Sequence, residues 1–240
     1  MASYVLHHIA GNILLDKYKL SDEKKALFLM GNLIPDSGNR KEIEKSHFYR
    51  KEDFSLNFQK PHLEDFISKY GSLIDNPTVL GYYYHLFVEY CIFDMLYDKA
   101  FTCIDCFGRE TDDWADTKKY KIIKNKTILF PEDFWSNNFF SGDAFSKINR
   151  VLLEYYGIEF DEEELRKFIS LFKNPGIEEV NYSNIESVFS KFQSSINEAK
   201  SLRKFDLRVF DEDKVIKFID DVASKFSDEN DKLIHKFIKK

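Results

Sequence analysis

The stretch "GYYYHLFVEY", from Gly81 to Tyr90, sets one imidazole and one carboxylate, His85 and Glu89, into an aromatic run. Four residues apart on a helix, these side chains share a face one turn apart. A cation is a chemical reason for that pairing. Zinc takes imidazole nitrogen and carboxylate oxygen, and a catalytic site leaves one position to water. The plain reading of any lone histidine is a satisfied core or surface group. His85 and Glu89 differ because a buried Glu needs a partner. The remaining histidines are His7, His8, His47, His62 and His235, and the other carboxylate that invites pairing is Asp36 in "GNLIPD". Taken alone, Asp36 reads as a turn residue after Pro35.

The elements that must position these groups read as helices. Apolar residues at Val5, Ile9, Ile13 and Leu14 predict a helix over 4–17. Ser21 caps "DEKKALFLMGNLI", which stops before Pro35, and residues 37–60 read as a long polar loop. Pro61 opens "PHLEDFISKY", closed by Gly71. Asn76 and Pro77 open a long helix running to about Phe101. "KYKIIKNKTILF" reads as a small hairpin near 119–130, since Asn125 sits between β-favouring runs. Helix resumes at Pro131, over 142–157, and in "DEEELRKFISLFKN". Ser183 and Glu186 form a capping box for "NIESVFSKFQSSINEAKSL", and two further helices fit 211–226 and 228–239. The expectation is an all-α chain of about nine helices over 1–240, with a metal-binding core in 1–160 and an additional helical lobe in 161–240.

Composition agrees with a large core: 240 residues, 43% hydrophobic, with 24 Phe and 13 Tyr. Nine Gly and five Pro argue against a turn-rich β fold. The net charge of −6, without a long basic stripe, disfavours sequence-specific duplex binding. "KKYKIIKNK" (118–126) reads as a solvated face or an edge segment. The start "MASYVLHHIAGNILLDKY" has no basic leader or small-residue cleavage site, and no segment reaches about 18 apolar residues. Neither a signal peptide nor a transmembrane segment is expected. An odd set of cysteines, Cys91, Cys103 and Cys106, points to reduced thiols in the cytoplasm. "CIDC" lacks the second pair that a zinc knuckle needs and the βαβ context of a redox pair.

The ordered set "HHIAGNILL", "MGNLIPDSGNRKEIEKSHF" and "VLGYYYHLFVEYCIF" resembles the zinc-dependent phospholipase C superfamily, which includes single-strand-specific zinc nucleases. That pattern has an early His, a G-x-[IL]-x-P-D element, a His in a K-x-[ST]-H-F-like run, and a helix with His-x-x-x-Asp or His-x-x-x-Glu. The matching positions are His7 or its neighbour His8, then Asp36, His47, His85 and Glu89. Gly11, four residues after His7, favours His7. The resemblance implies a helical bundle holding zinc and metal-assisted hydrolysis of a phosphodiester or phosphate ester, with Asp36 as base or bridging ligand. A lipid or small-molecule phosphate ester would be the substrate. A further His and a second His-x-x-x-Glu, carried by the secreted relatives, are missing after Glu89, so five ligands suit one ion, or two sharing Asp36 or Glu89. The alternative is a non-enzymatic helical protein with a structural or vestigial metal.

Overall fold

A computed structural model of the chain describes residues 3–50, 59–136, 143–203 and 205–239. Among these the chain is mostly helical, with eleven α-helices and one small antiparallel sheet. Helix α1 spans Tyr4–Leu15, and Ser3 caps it by accepting from the Leu6 amide. Helix α2, Asp22–Leu33, is capped by Ser21 as its sequence predicts. It runs into a tight turn, Ile34–Ser37, where Pro35 halts regular helix and presents Asp36. Helix α5, Pro77–Ile92, starts with Asn76 as cap and Pro77 at the first position.

Two glycines decide how α2 meets α5. A Cβ placed on Gly31 would overlap the Thr78 carbonyl oxygen, and one on Gly81 would overlap the Phe28 carbonyl oxygen. The backbones touch where a side chain would hold them apart. Helix α1 lies across this pair. The Tyr84 hydroxyl donates to the Ala10 carbonyl at 3.1 Å.

The later helices are α7 (Asp143–Tyr156), α8 (Glu162–Arg166), α9 (Ile185–Ser201), α10 (Glu212–Glu229) and α11 (Asp231–Lys239). Phe226 of α10 packs its ring on Tyr84 and Phe87 of α5, at 4.8 and 5.1 Å between centroids. Phe192 of α9 stacks on Tyr4 of α1. Buried side chains from 1–160 and from 161–240 therefore join one apolar cluster.

Several elements differ from the sequence reading. The chain is not all-α. Helix α5 ends at Ile92, a π turn covers Phe93–Tyr97, and strand β1 runs Phe101–Ile104. With β2 (Glu110–Thr111), β3 (Lys119–Ile122) and β4 (Ile128–Leu129) it forms a sheet ordered β2-β1-β3-β4. The expected hairpin is β3–β4, pairing Tyr120 with Leu129 and Lys121 with Ile128. Its partner β1 was hidden because Phe101 and Cys103 alternate over only four residues, too few to separate from a helix end. Residues 37–60 hold helix α3, Arg40–Ser46, where Asn39 and Glu42 form a capping box in a polar run without apolar periodicity. Residues 51–58 of that predicted loop, and Gly142 at the start of the predicted 142–157 helix, lie outside the described residues. Helix α4 is Leu63–Tyr70, and α6 restarts at Pro131 and ends at Phe134. Ser183 does not cap α9: Asn181 caps the tight turn Tyr182–Asn184 that precedes it. The helix in "DEEELRKFISLFKN" stops at Arg166 and continues as turns.

The glycine crossing predicts a sharp contrast. Gly81→Ala should destabilise the protein by about 3 kcal/mol or more, since the clash is with backbone that cannot rotate away. Gly71→Ala, at a helical φ of −58° with only Ile67 Cγ2 nearby at 3.4 Å, should change stability by less than about 1 kcal/mol. Urea denaturation of both variants reads the difference. Equal losses would show that the α2–α5 contact has slack.

Candidate metal centre

The centre is assembled from four places in the chain. Helix α1 supplies His7, the turn after α2 supplies Asp36, the C-terminal cap of α3 supplies His47, and α5 supplies His85 and Glu89. His7, His47 and His85 are fully buried, and Asp36 is 8% exposed. Two groups of three could each hold a metal ion: His7 with His85 and Glu89, and Asp36 with His47 and His85.

Backbone carbonyls fix the protonation of two imidazoles. His85 Nδ1 lies 2.8 Å from the Asn32 carbonyl, and His47 Nδ1 lies 2.9 Å from the Ile43 carbonyl. A carbonyl oxygen only accepts, so each Nδ1 carries the proton and each Nε2 keeps a lone pair when the ring is neutral. Those two Nε2 atoms are 3.0 Å apart. Asp36 Oδ1 stands 3.4 Å from His47 Nε2 and 3.8 Å from His85 Nε2, either of which could donate to it only if its ring carried a second proton. With both rings neutral, three electron-rich atoms converge with no proton to share, an arrangement that a second proton on one imidazole or a bound cation would relieve.

The spacing suits a metal ion. Spokes of about 2.0–2.2 Å in a tetrahedral site give edges of about 3.3–3.6 Å between ligand atoms. The observed edges of 3.0, 3.4 and 3.8 Å straddle that range. His7 Nε2 and Glu89 Oε1, 3.2 Å apart, stand beside it. The His7 ring stacks on His85 with centroids 3.8 Å apart. His85 has one free nitrogen, so it serves one ion only.

The electrostatics agree. Burial pushes the His85 imidazole well below its usual pKa, and the neighbouring His7 ring adds to this. Burial alone would raise the Asp36 carboxyl, but the imidazoles of His85, His47 and His7 outweigh it and keep Asp36 below its ordinary value. The Glu89 carboxyl is also held low: burial opposes ionisation, and the His7 ring is among the groups that overcome it.

The remaining histidines lie elsewhere. His8 packs edge-on against Phe160 and Phe192, and Asn12 Nδ2 is 3.2 Å from its Nε2. Burial depresses it to about 4, more than the Glu159 backbone raises it. The helix turns by about 100° per residue, so adjacent His7 and His8 face different neighbours. His62 pairs with Glu64 at 3.3 Å, and His235 with Asp231 at 3.2 Å. Cys103 is buried on β1 and Cys106 is exposed in the turn after it. Neither cysteine joins a metal-holding group among the described residues.

The sequence reading missed the supporting contacts. Tyr4 donates to the Asp36 carbonyl at 2.8 Å, Tyr82 to the Ser46 carbonyl at 2.6 Å, and Asn32 Nδ2 to the His7 carbonyl at 2.6 Å. Backbone acceptors such as Asn32 and Ile43 leave no mark in side-chain type. Beside the centre, a cleft of about 250 Å³ has Pro35 and Ser37, which flank Asp36, and Ser46, which precedes His47, in its wall. Compared with protein-family models, curated proteins and solved structures, the chain matches none. No helix among the described residues is long and apolar enough to cross a membrane.

Two outcomes follow from the geometry. His7→Gln should lower bound metal to half or less, whereas His8→Gln, His62→Gln and His235→Gln should leave it unchanged in elemental analysis. Glu89→Gln should lower the melting temperature of metal-loaded protein but shift it little after chelation, because the ion offsets the cost of burying the charge. Equal shifts with and without chelator would remove Glu89 from the ligand set.

Proposed function

We propose that the chain is a zinc-dependent hydrolase of the phospholipase C-like type, acting on a phosphodiester or phosphate ester. The observation that carries this reading is the convergence of Asp36 Oδ1, His47 Nε2 and His85 Nε2 on one point at near-tetrahedral edges. Two nitrogens and one oxygen, with a fourth position left over, suit a catalytic zinc. When bound, zinc supplies Lewis acidity towards a phosphoryl oxygen and lowers the pKa of water.

The chain's own residues supply the rest. His47 and His85 present neutral Nε2 atoms because the Ile43 and Asn32 carbonyls hold their Nδ1 protons. Asp36, the most exposed of the five groups, lies where a carboxylate oxygen can accept a proton from water. The apolar surround, with Tyr82 and Tyr84 fully buried, limits competing solvent. The cleft beside the centre holds Lys45, a cation for a phosphate, but also Glu42, Glu178 and Glu179, which oppose one.

A second reading, a structural metal without turnover, is favoured by the complete burial of three of the ligands. Protein purified without chelator or affinity tag decides between them. Elemental analysis should find zinc, and a chromogenic phosphodiester should be hydrolysed. Asp36→Asn should reduce turnover by about 100-fold or more. Zinc without turnover of phosphodiesters or phosphomonoesters would support the structural reading, and no bound metal would overturn both.

A further inference from the structure

Helix α3 carries His47 at its C-terminal cap but has little of its own to hold that residue in place. Of its seven residues, Arg40–Ser46, only Ser46 is buried. The helix ends in a pair of bonds of the Schellman kind: the Phe48 amide donates to the Lys45 carbonyl at 3.1 Å, and the Tyr49 amide to the Glu44 carbonyl at 3.2 Å. That ending needs a left-handed residue directly after the cap, a place usually taken by glycine. Here it is Phe48, with a φ of 55°. A β carbon in this region crowds the backbone, and phenylalanine has no polar group to offset the strain locally. Among the described residues the other non-glycine position with positive φ is Lys126, exposed between β3 and β4.

The Phe48 ring supplies the anchor that the helix lacks. It lies edge-on to Phe66 and Tyr70 of α4 and to Tyr82 of α5, at 5.4, 6.3 and 6.5 Å between centroids. Tyr82 stands three residues before His85, on the same side of α5 and one turn earlier. The ring therefore docks the residue after His47 against the turn of α5 that leads to His85. On the other side of His47, the Ser46 carbonyl accepts from the Tyr82 hydroxyl at 2.6 Å, and the Ser46 hydroxyl donates to the Pro35 carbonyl at 2.8 Å, next to Asp36. Both neighbours of His47 are thus fastened to the elements that carry His85 and Asp36. The imidazole between them meets both, with Nε2 at 3.0 Å from His85 Nε2 and 3.4 Å from Asp36 Oδ1. Glycine at position 48 would make the turn without strain, but it would have no ring to dock. Strain of this kind persists only where the surrounding packing over-determines the conformation, and it gathers at functional sites.

We propose that Phe48 is a positioning residue for His47: its left-handed backbone and docked ring hold the imidazole at ligand distance from His85 and Asp36. The proposal rests on the metal centre described above. Zinc titration of the full chain against a chromogenic chelator, together with the visible spectrum of its cobalt(II) form, tests it. The parent chain should bind zinc and give a cobalt(II) band of tetrahedral character. Phe48→Gly keeps the turn and removes the ring. It should bind zinc about tenfold more weakly or worse, with a weaker or shifted cobalt band as His47 leaves the ligand set. Phe48→Leu, which keeps an apolar anchor, should recover most of both. A ring that serves the fold alone would give Phe48→Gly a lower melting temperature with the parent's zinc affinity and an unchanged cobalt spectrum, and that result overturns the proposal. If Phe48→Gly does not fold, Phe66→Leu, which thins the surface on which the ring docks, carries the test with the same expectations. No zinc or cobalt bound by the parent chain would overturn the metal centre itself, and the proposal with it; metal bound equally by parent and variants overturns the proposal alone.

Discussion

The close crossing of α2 and α5 at Gly31 and Gly81 is the constraint on which the rest depends. Backbone-to-backbone contact at Gly31 brings the next residue, Asn32, within reach of α5. Its carbonyl then accepts from His85 Nδ1, one turn beyond Gly81. A larger residue at either glycine would push the helices apart and break that bond. The end of α2 would move with them, and so would Asp36. Helix packing here fixes more than shape: it chooses which nitrogen of a buried imidazole keeps its lone pair.

That choice gives the centre its character. A neutral histidine can satisfy a buried carboxylate only if its proton points the right way. In His47 and His85 the protons point away, to the Ile43 and Asn32 carbonyls. Asp36 Oδ1 is left facing lone pairs. In an apolar interior, leaving a carboxylate oxygen unpartnered costs several kcal/mol unless a cation is present. The same burial that makes the arrangement costly when empty would strengthen its hold on an ion. His7 and Glu89 lie against His85 and extend the polar cluster along α1 and α5.

The aromatic composition has a positional role. Tyr4, Tyr82 and Tyr84 are each apolar along the ring and polar at the tip, so they fill the core while donating to carbonyls on neighbouring elements. Tyr82 anchors the end of α3 and thereby the backbone that carries His47. Tyr4 anchors the turn that carries Asp36. Phe226, Phe192 and Phe160 close the other side, and through them the second half of the chain braces α1 and α5.

Sequence alone determined what depends on local rules. Ser21, Asn76 and Pro77 marked helix starts because caps act within three residues. The spacing of His85 and Glu89 placed both on one helical face, and the Asn125 turn announced the β3–β4 hairpin. The five groups His7, Asp36, His47, His85 and Glu89 were legible as an ordered set, and they do lie side by side in space. Tertiary structure decided the remainder. Strand β1 exists because β3 offers it a ladder, and a four-residue strand carries too little pattern to announce itself. Helix α3 rests on a capping box and on Tyr82, with no apolar stripe to betray it. The direction of each imidazole proton was settled by carbonyls of Asn32 and Ile43, and every residue has such a carbonyl. A backbone acceptor has no letter of its own, so only folding reveals which one a side chain meets.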